Sequence, residues 1–343
     1  MSSTAQTSSP AQAPPQMLQM LHGFVTVQAL HTAAFLGIAD LLASEPRSMS
    51  ELATATGAHQ PSLHRLLRML TGPGVFREEA DGRFAVTPLG ATLQSSRPDS
   101  IREWALFAGA PEVWAVWAGL RDSVITGKAA FPAVHGAPMW EYITAHRDLG
   151  ELFNGWMTRQ SWQHNAALVA AYDFSPFRLV ADVGGGQGST LAAILAAHPS
   201  LEGILLDLPH VVSHVPPLAE AGVADRCQVI GGDMFASVPS GADAYVLKRV
   251  LMSYGDEDAE RLLRNCAAAM AEGGRIVAVD IVMAAGNDPS PAKPFDILML
   301  LTQPGALIRT EHEFRQLFTE AGLRLTKVIP TDSQNSVLEA VRE

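Results

Sequence analysis

The stretch Arg178-Leu-Val-Ala-Asp-Val-Gly-Gly-Gly-Gln-Gly188 decides the fold of this chain. Arg178 to Val183 is an apolar run that reads as a buried strand, and Ser189 to Ala197 reads as a helix, with the glycines between them. Glycines at a strand-to-helix turn allow a tight reversal and a close backbone approach, while the helix N-terminus offers free N–H groups. The turn therefore reads as a ligand site. Beyond it the alternation continues, with strands expected at Gly203 to Asp207, Cys227 to Ile230, Ala244 to Lys248 and Arg275 to Asp280. Helices are expected at Pro216 to Ala224 and at Asp256 to Met270, the second stopped by Gly273-Gly274. Repeated strand–helix units imply a parallel sheet with helices on both faces, an α/β Rossmann-like domain over residues 171–343.

The ligand expected at this turn carries adenosine. Asp207, nineteen residues after Gly188 and at the end of the next strand, holds the position of a carboxylate that bonds both ribose hydroxyls. A dinucleotide fingerprint built on Gly184 and Gly186 would need a third glycine at 189, where Ser189 stands. Asp182 inside the turn could hold the ammonium group of S-adenosylmethionine (SAM). Gly232-Asp233-Met234-Phe235, after the third strand, offers a carboxylate and an apolar pair for the adenine.

Upstream of residue 171 the pattern is helical. Residues 17–42 carry apolar side chains at helical spacing with almost no charge before Asp40, so this helix either contributes to a dimer interface or is buried in its own domain. Residues 48–94 run helix, turn, helix (Gln60 to Leu70) and a hairpin closed by Asp81-Gly82, which is a winged-helix pattern. Only Arg65 and Arg68 are basic on the second helix, and the whole chain has 35 acidic against 24 basic residues, so nucleic acid is not an expected partner. All six tryptophans fall between Trp104 and Trp162. They form either a helical core or the wall of a flat apolar pocket.

The 343 residues accordingly divide into a disordered tail (1–16), a winged-helix dimerisation domain (17–100), a helical aromatic-rich connector lining the substrate pocket (101–170) and the cofactor domain (171–343). Two cysteines without a Cys-x-x-Cys spacing, no apolar run of membrane length and no signal-peptide pattern lead us to expect a cytoplasmic chain with no metal site.

Taken in order, Leu-Leu-Arg-Met-Leu, Val-Ala-Asp-Val-Gly-Gly-Gly-Gln-Gly, Leu-Leu-Asp-Leu-Pro-His-Val-Val, Gly-Gly-Asp-Met-Phe, Leu-Lys-Arg-Val-Leu, Phe-Asp-Ile-Leu-Met-Leu and Arg-Thr-Glu-His-Glu-Phe resemble the SAM-dependent small-molecule O-methyltransferases of the plant caffeate and bacterial polyketide-tailoring type. The resemblance covers residues 17–343. It implies a homodimer formed through an N-terminal domain that does not touch DNA, and the lack of a long apolar run adds the expectation of no membrane partner. It also implies SAM, leaving as S-adenosylhomocysteine (SAH), held by Asp182, Gly184, Gly186, Gly188, Asp207, Leu208, Asp233, Met234, Phe235 and Lys248. The acceptor it implies is a small aromatic natural-product intermediate, among Trp104, Trp140, Phe153, Met157, Asp296 and Met299.

The resemblance breaks at the chemistry. Met252 stands where the family has the His that takes the acceptor's proton, and a thioether cannot accept a proton at neutral pH. Asp280, twenty-eight residues on, keeps the first flanking acid, whereas Ile308 replaces the second. Methyl transfer to an acceptor that is already ionised survives such a loss, because base catalysis contributes about 10²–10⁴-fold. Two other readings stay open. One is a SAM-binding enzyme of other chemistry (hydroxylase, decarboxylase or pericyclase), and the other is a silent binding protein. Substitute bases to consider are His135, His146 and His164; Ser253 and Tyr254 could donate hydrogen bonds; and Arg249 is expected to point away from Lys248 if the strand alternates.

Overall fold

The structure, a computed structural model, describes residues 13–343 apart from the side chains of Trp162 and Gln163. Of the expected tail, residues 1–12 lie outside the described residues. Its last four residues are helical, since a helix spans Ala13–Leu21 with Pro14 and Pro15 in its first turn, where a missing N–H costs nothing. The single helix expected over 17–42 is three helices, Ala13–Leu21, Gly23–Phe35 and Ile38–Leu41, the last break being made by Gly37 at φ 65°.

Contacts divide the chain into two units. One runs to Ala118 and includes Ile143–Arg159. In it the helices Met49–Thr56 and Gln60–Thr71 precede the wing, β1 (Phe76–Glu78) paired antiparallel with β2 (Phe84–Val86). A capping box between Ser48 and Glu51 starts the first of these helices, and Gly82 at φ 81° makes the wing turn. Leu63, Leu67 and Leu70 bury one face of the second helix against Ala33, Ile38, Phe76 and Phe84. The Gly23–Phe35 helix buries only Ala29, Ala33 and Ala34, while Phe24, Val25, Val27 and Phe35 are exposed together with Met17, Leu18, Met20 and Leu21 of the helix before it.

The second unit comprises Gly119–Tyr142 and Gln160–Glu343, so the expected connector of residues 101–170 is shared between the two units. The reason is the 25-residue helix Arg147–Ala171, whose early turns pack with the first unit and whose late turns pack with the second. The sheet of this unit has the order β5-β4-β3-β6-β7-β9-β8. Here β3 is Leu179–Val183, β4 Glu202–Asp207, β5 Cys227–Gly231, β6 Ala244–Lys248, β7 Arg275–Asp280, β8 Leu323–Pro330 and β9 Ser336–Arg342. β3 to β7 are parallel as expected. The expected parallel sheet has one exception, β9, which runs antiparallel to both β7 and β8, so that β8 keeps the direction of the parallel strands.

Strand alternation sends the two faces of the sheet into two cores. Ala181, Val183, Tyr245 and Leu247 pack with Leu262, Leu263, Phe314 and Phe318, whereas Val180, Val246, Val277 and Val279 pack with Leu168, Leu191 and Leu195. Both faces of β3 are therefore apolar, except at Asp182. β3 is the first strand and lies between β4 and β6, so the carboxyl ends of β3 and β6 flank the topological switch point, where open α/β sheets bind ligands.

Candidate active site

Every parallel strand delivers a polar residue at or just past its carboxyl end: Asp182, Asp207, Asp233, Lys248 and Asp280. The turn after β3 places Gly184, Gly186 and Gly188 at φ 69°, 61° and 83°, a conformation that side chains resist. A Cβ on Gly184 would come within 2.9 Å of Val250 Cγ2 and 3.5 Å of Met234 Sδ, so Val250 packs against the bare glycine, whereas a Cβ on Gly186 would stand in open space. Gly188 caps the following helix, Ser189–Ala197, without a side-chain hydrogen bond.

Asp182 is fully buried, and neither of its carboxylate oxygens has a hydrogen-bond partner. Burial pushes its carboxyl up to about 7, the charges of Lys248 and Asp207 work in opposite directions on it, and the Leu191 N–H pulls it back without completing a hydrogen bond. Burial also pushes the Lys248 ammonium down to about 7, with Arg249 adding to the fall and Asp182 opposing it. Lys248 Nζ donates to Ser161 Oγ at 2.9 Å and makes no ion pair with Asp182. An orphaned carboxylate next to an open glycine turn is a site prepared for a cationic group. The amino group of SAM fits that requirement.

Asp207 Oδ2 accepts from Gly186 N–H and Oδ1 from Leu208 N–H, both at 2.7 Å, which leaves each oxygen a further lone pair. Burial raises its pKa against those two bonds. Leu208 is 43% exposed, giving an apolar surface beside it. Past β5, Asp233 Oδ1 accepts from Phe235 N–H at 2.9 Å, and Asn265 Nδ2 bonds the carbonyls of Met234 and Phe235. Phe235 is held between the Tyr254 ring, at 4.9 Å, and the Arg261 guanidinium, at 4.7 Å. These fixed groups suit a flat heterocycle.

Arg249 does not point away from Lys248. It is the one non-glycine residue with positive φ among the described residues, at 57°, and this breaks the alternation. Its Nη1 donates to Gln160 Oε1 at 2.6 Å, so two successive basic side chains engage two successive residues of one helix. Burial pushes the guanidinium down to about 10, which leaves it a cation at neutral pH, and it lies 4.9 Å above the Phe295 ring.

Met252 occupies a short turn, Leu251–Ser253, and is 3% exposed in an apolar cluster with Ile281, Ala292 and Ile308, against which Met283, Phe295 and Met299 pack. The two apolar replacements thus touch the same cluster. Asp280 is buried, its oxygens accept from Met252 N–H at 3.1 Å and Ile281 N–H at 2.8 Å, and burial raises its carboxyl to about 6. Asp296 Oδ1 accepts from Ile308 N–H at 2.7 Å. Arg309 was not singled out from the sequence. It is buried, donates to the Leu251 and Tyr254 carbonyls and pairs with Asp256, so it clamps the turn that carries Met252.

The substitute bases separate. His164 is held neutral, its pKa pushed down to about 4 by burial and by the charges of Arg249 and Lys248, so it belongs to this site but is a weak base. His135 packs instead with Phe131 and Tyr142, with ring centroids at 4.6 and 4.4 Å. His146 belongs to the first unit, and burial pushes the Tyr254 hydroxyl up to about 12. Trp104, Phe153 and Met157 also belong to the first unit, where Trp104 stacks on Trp156 at 4.3 Å; Trp140, Asp296 and Met299 belong to the second. Ser161 and Gln160 were missed as well, because contacts across 87 and 89 residues leave no local signal. Among the described residues no cluster of His, Cys, Asp and Glu is able to hold a metal ion, and no helix is long and apolar enough to cross a membrane.

Comparison with known proteins agrees with this geometry. The family model for an O-methyltransferase domain matches residues 117–324, and that for an O-methyltransferase dimerisation domain matches residues 18–96. The chain is 42% identical over 325 residues to a phenazine O-methyltransferase of Lysobacter antibioticus, covering 94% of this chain and 95% of that protein. It superposes with a TM-score of 0.84 and 36% identity on the SAH-bound crystal structure of CalO1, a methyltransferase in calicheamicin biosynthesis, covering 98% of this chain and 100% of that one. It is also 37% identical over 315 residues to the aclacinomycin 10-hydroxylase of Streptomyces purpurascens, covering 90% and 84% of the two chains.

Proposed function

Since this chain belongs to the O-methyltransferase family that carries its own dimerisation domain, we propose that it methylates an already ionised oxygen of an aromatic natural-product intermediate, working as a SAM-dependent homodimer. The observation that carries this reading is the buried, partnerless Asp182 carboxylate beside an open glycine turn. When bound, SAM supplies an electrophilic methyl group and leaves as SAH.

The chain's own residues do the rest. Asp182 would hold the cofactor's ammonium, Asp207 would accept from the ribose hydroxyls with its remaining lone pairs, and Asp233, Met234 and Phe235 would fix the adenine. Lys248, held by Ser161, would add a donor to the cofactor site. Met252, Met299 and Phe295 exclude water from the acceptor and take no proton from it. Asp280 acts through the backbone, holding the Met252 turn in place. Both cysteines are free, which suits the cytoplasmic location we assign.

A second reading has one observation in its favour. The apolar residues at 252 and 308, together with the likeness to a hydroxylase, suit an enzyme that keeps SAM for other chemistry. Incubation of the protein with methyl-deuterated SAM and a hydroxyphenazine, followed by mass spectrometry, separates the two. A product carrying one labelled methyl supports methyl transfer. SAM-dependent consumption without label overturns it.

A further inference from the structure

We propose that Arg249 is the acceptor-binding residue of this enzyme, and that it selects aromatic acceptors presenting an oxyanion, either a phenolate or a carboxylate, to its guanidinium beside Met252. The inference rests on the methyltransferase reading and names the substrate class of the same site.

Two arginines are buried around the Met252 turn, and they differ in how their charge is met. Arg309 uses Nε, Nη1 and Nη2 and pairs with Asp256. Arg249, 9% exposed, makes a single side-chain hydrogen bond, to the neutral Oε1 of Gln160, and no carboxylate among the described residues comes within ion-pairing distance of it. The Asp280 charge is felt by Arg249, but the two groups make no direct ion pair, and the Asp280 oxygens are turned to the Met252 and Ile281 N–H groups. A buried guanidinium with no anion in direct contact is costly, and a ligand that supplies one would complete it.

Arg249 is also not wholly sealed, keeping 9% of its surface exposed. None of the Arg249 nitrogens is among the side-chain atoms that are both sealed from solvent and unpartnered. The guanidinium carbon lies 4.9 Å over the Phe295 ring, which packs against the cluster containing Met252, so the cation is held next to that apolar cluster. The left-handed backbone at Arg249, a conformation that side chains resist, produces this placement. Lys248 already ties the end of β6 to the helix through Ser161, so a second tie alone does not account for that strain. Where the anion is the phenolate itself, the reacting oxygen has no proton left to surrender and the missing base at 252 is no handicap; a carboxylate handle orients the acceptor without removing that proton.

Calorimetric titration with two matched probe pairs tests the inference: an ionised nitrophenol against the matching nitroanisole, and naphthoate against its methyl ester. The wild-type protein is expected to bind the anion of at least one pair about tenfold or more tighter than its neutral partner. Preference for the nitrophenolate identifies the reacting oxygen as the anion, and preference for naphthoate identifies a carboxylate handle. Arg249→Gln should abolish the preference while leaving the neutral probes and SAH bound as before, and Arg249→Lys should keep part of it. Equal affinities within both pairs in the wild type, or a preference that survives in Arg249→Gln, overturn the inference. Failure of SAH to bind the wild type would sink the methyltransferase reading instead. The probe pairs are therefore also titrated without SAH, so the role of Arg249 is decided in either case.

Discussion

The backbone N–H of Met252 donates to Asp280 Oδ2 at 3.1 Å, so the acid retained in this site holds the turn from which the proton acceptor is missing. A histidine at 252 would enter a position whose backbone is already fixed on that acid. Met252→His is expected to raise the rate of methylation of un-ionised phenols on the order of tenfold or more. The gain should fade as pH drops and the imidazole is protonated. Methylation rates measured across pH for one phenol check this, and no gain with SAH affinity intact contradicts it.

Asp182 sets stability against binding. Its folded-state pKa lies above its ordinary value, at about 7, so the penalty of burying its charge is absent at low pH, grows as pH rises above the ordinary carboxylate range and is complete above about 7. Asp182→Asn should therefore raise the melting temperature of the ligand-free protein at neutral pH, by an amount corresponding to roughly 1–3 kcal/mol, and weaken SAH binding. In the wild type SAH affinity should fall as pH is lowered through about 7, and Asp182→Asn should flatten that dependence. Thermal melts and calorimetry at several pH values read both effects. A variant that binds SAH as tightly as the wild type removes the assignment.

Asp207 faces both the glycine turn and the ligand. Asp207→Ala removes the acceptor for the N–H groups of Gly186 and Leu208 as well as the ribose contacts, and should weaken SAH binding by about 10–100-fold. Asp207→Asn keeps one acceptor oxygen and should lose less. Equal losses in the two variants would assign the effect to the turn and not to the ribose.

Arg309→Leu should destabilise the fold by about 2–4 kcal/mol, because it strands the Leu251 and Tyr254 carbonyls and leaves Asp256 without its partner. The change in urea midpoint measures this. SAH affinity should be little altered, since Arg309 touches none of the groups assigned to the cofactor.

The strands carrying these residues were legible because each is short, apolar and bounded by turn residues. The position of Asp207 was legible because a fixed spacing follows from one strand–helix–strand unit. Arg249 was misread for a physical reason: a left-handed arginine has no local sequence signature, and the alternation rule that works for Val180 and Asp182 fails one residue past the end of β6. Arg309 looked like part of a motif and not a clamp, because its partners lie 53 to 58 residues away. β8 follows a helix and keeps the direction of the parallel strands; the reversal is made by β9 alone, which returns as a hairpin and inserts between β7 and β8, a placement only the pairing reveals.

The apolar side chains left uncovered along residues 17–35, Met17, Leu18, Leu21, Phe24 and Phe35 among them, make a single protomer a poor resident of water. Dilution then becomes a hazard and not a convenience. At low concentration each chain faces solvent with a greasy strip that will take whatever apolar surface it meets first, vessel walls and denatured neighbours included. Activity lost on standing in dilute stocks would have its origin here, far from Met252, and carrier protein or concentrated storage would preserve it.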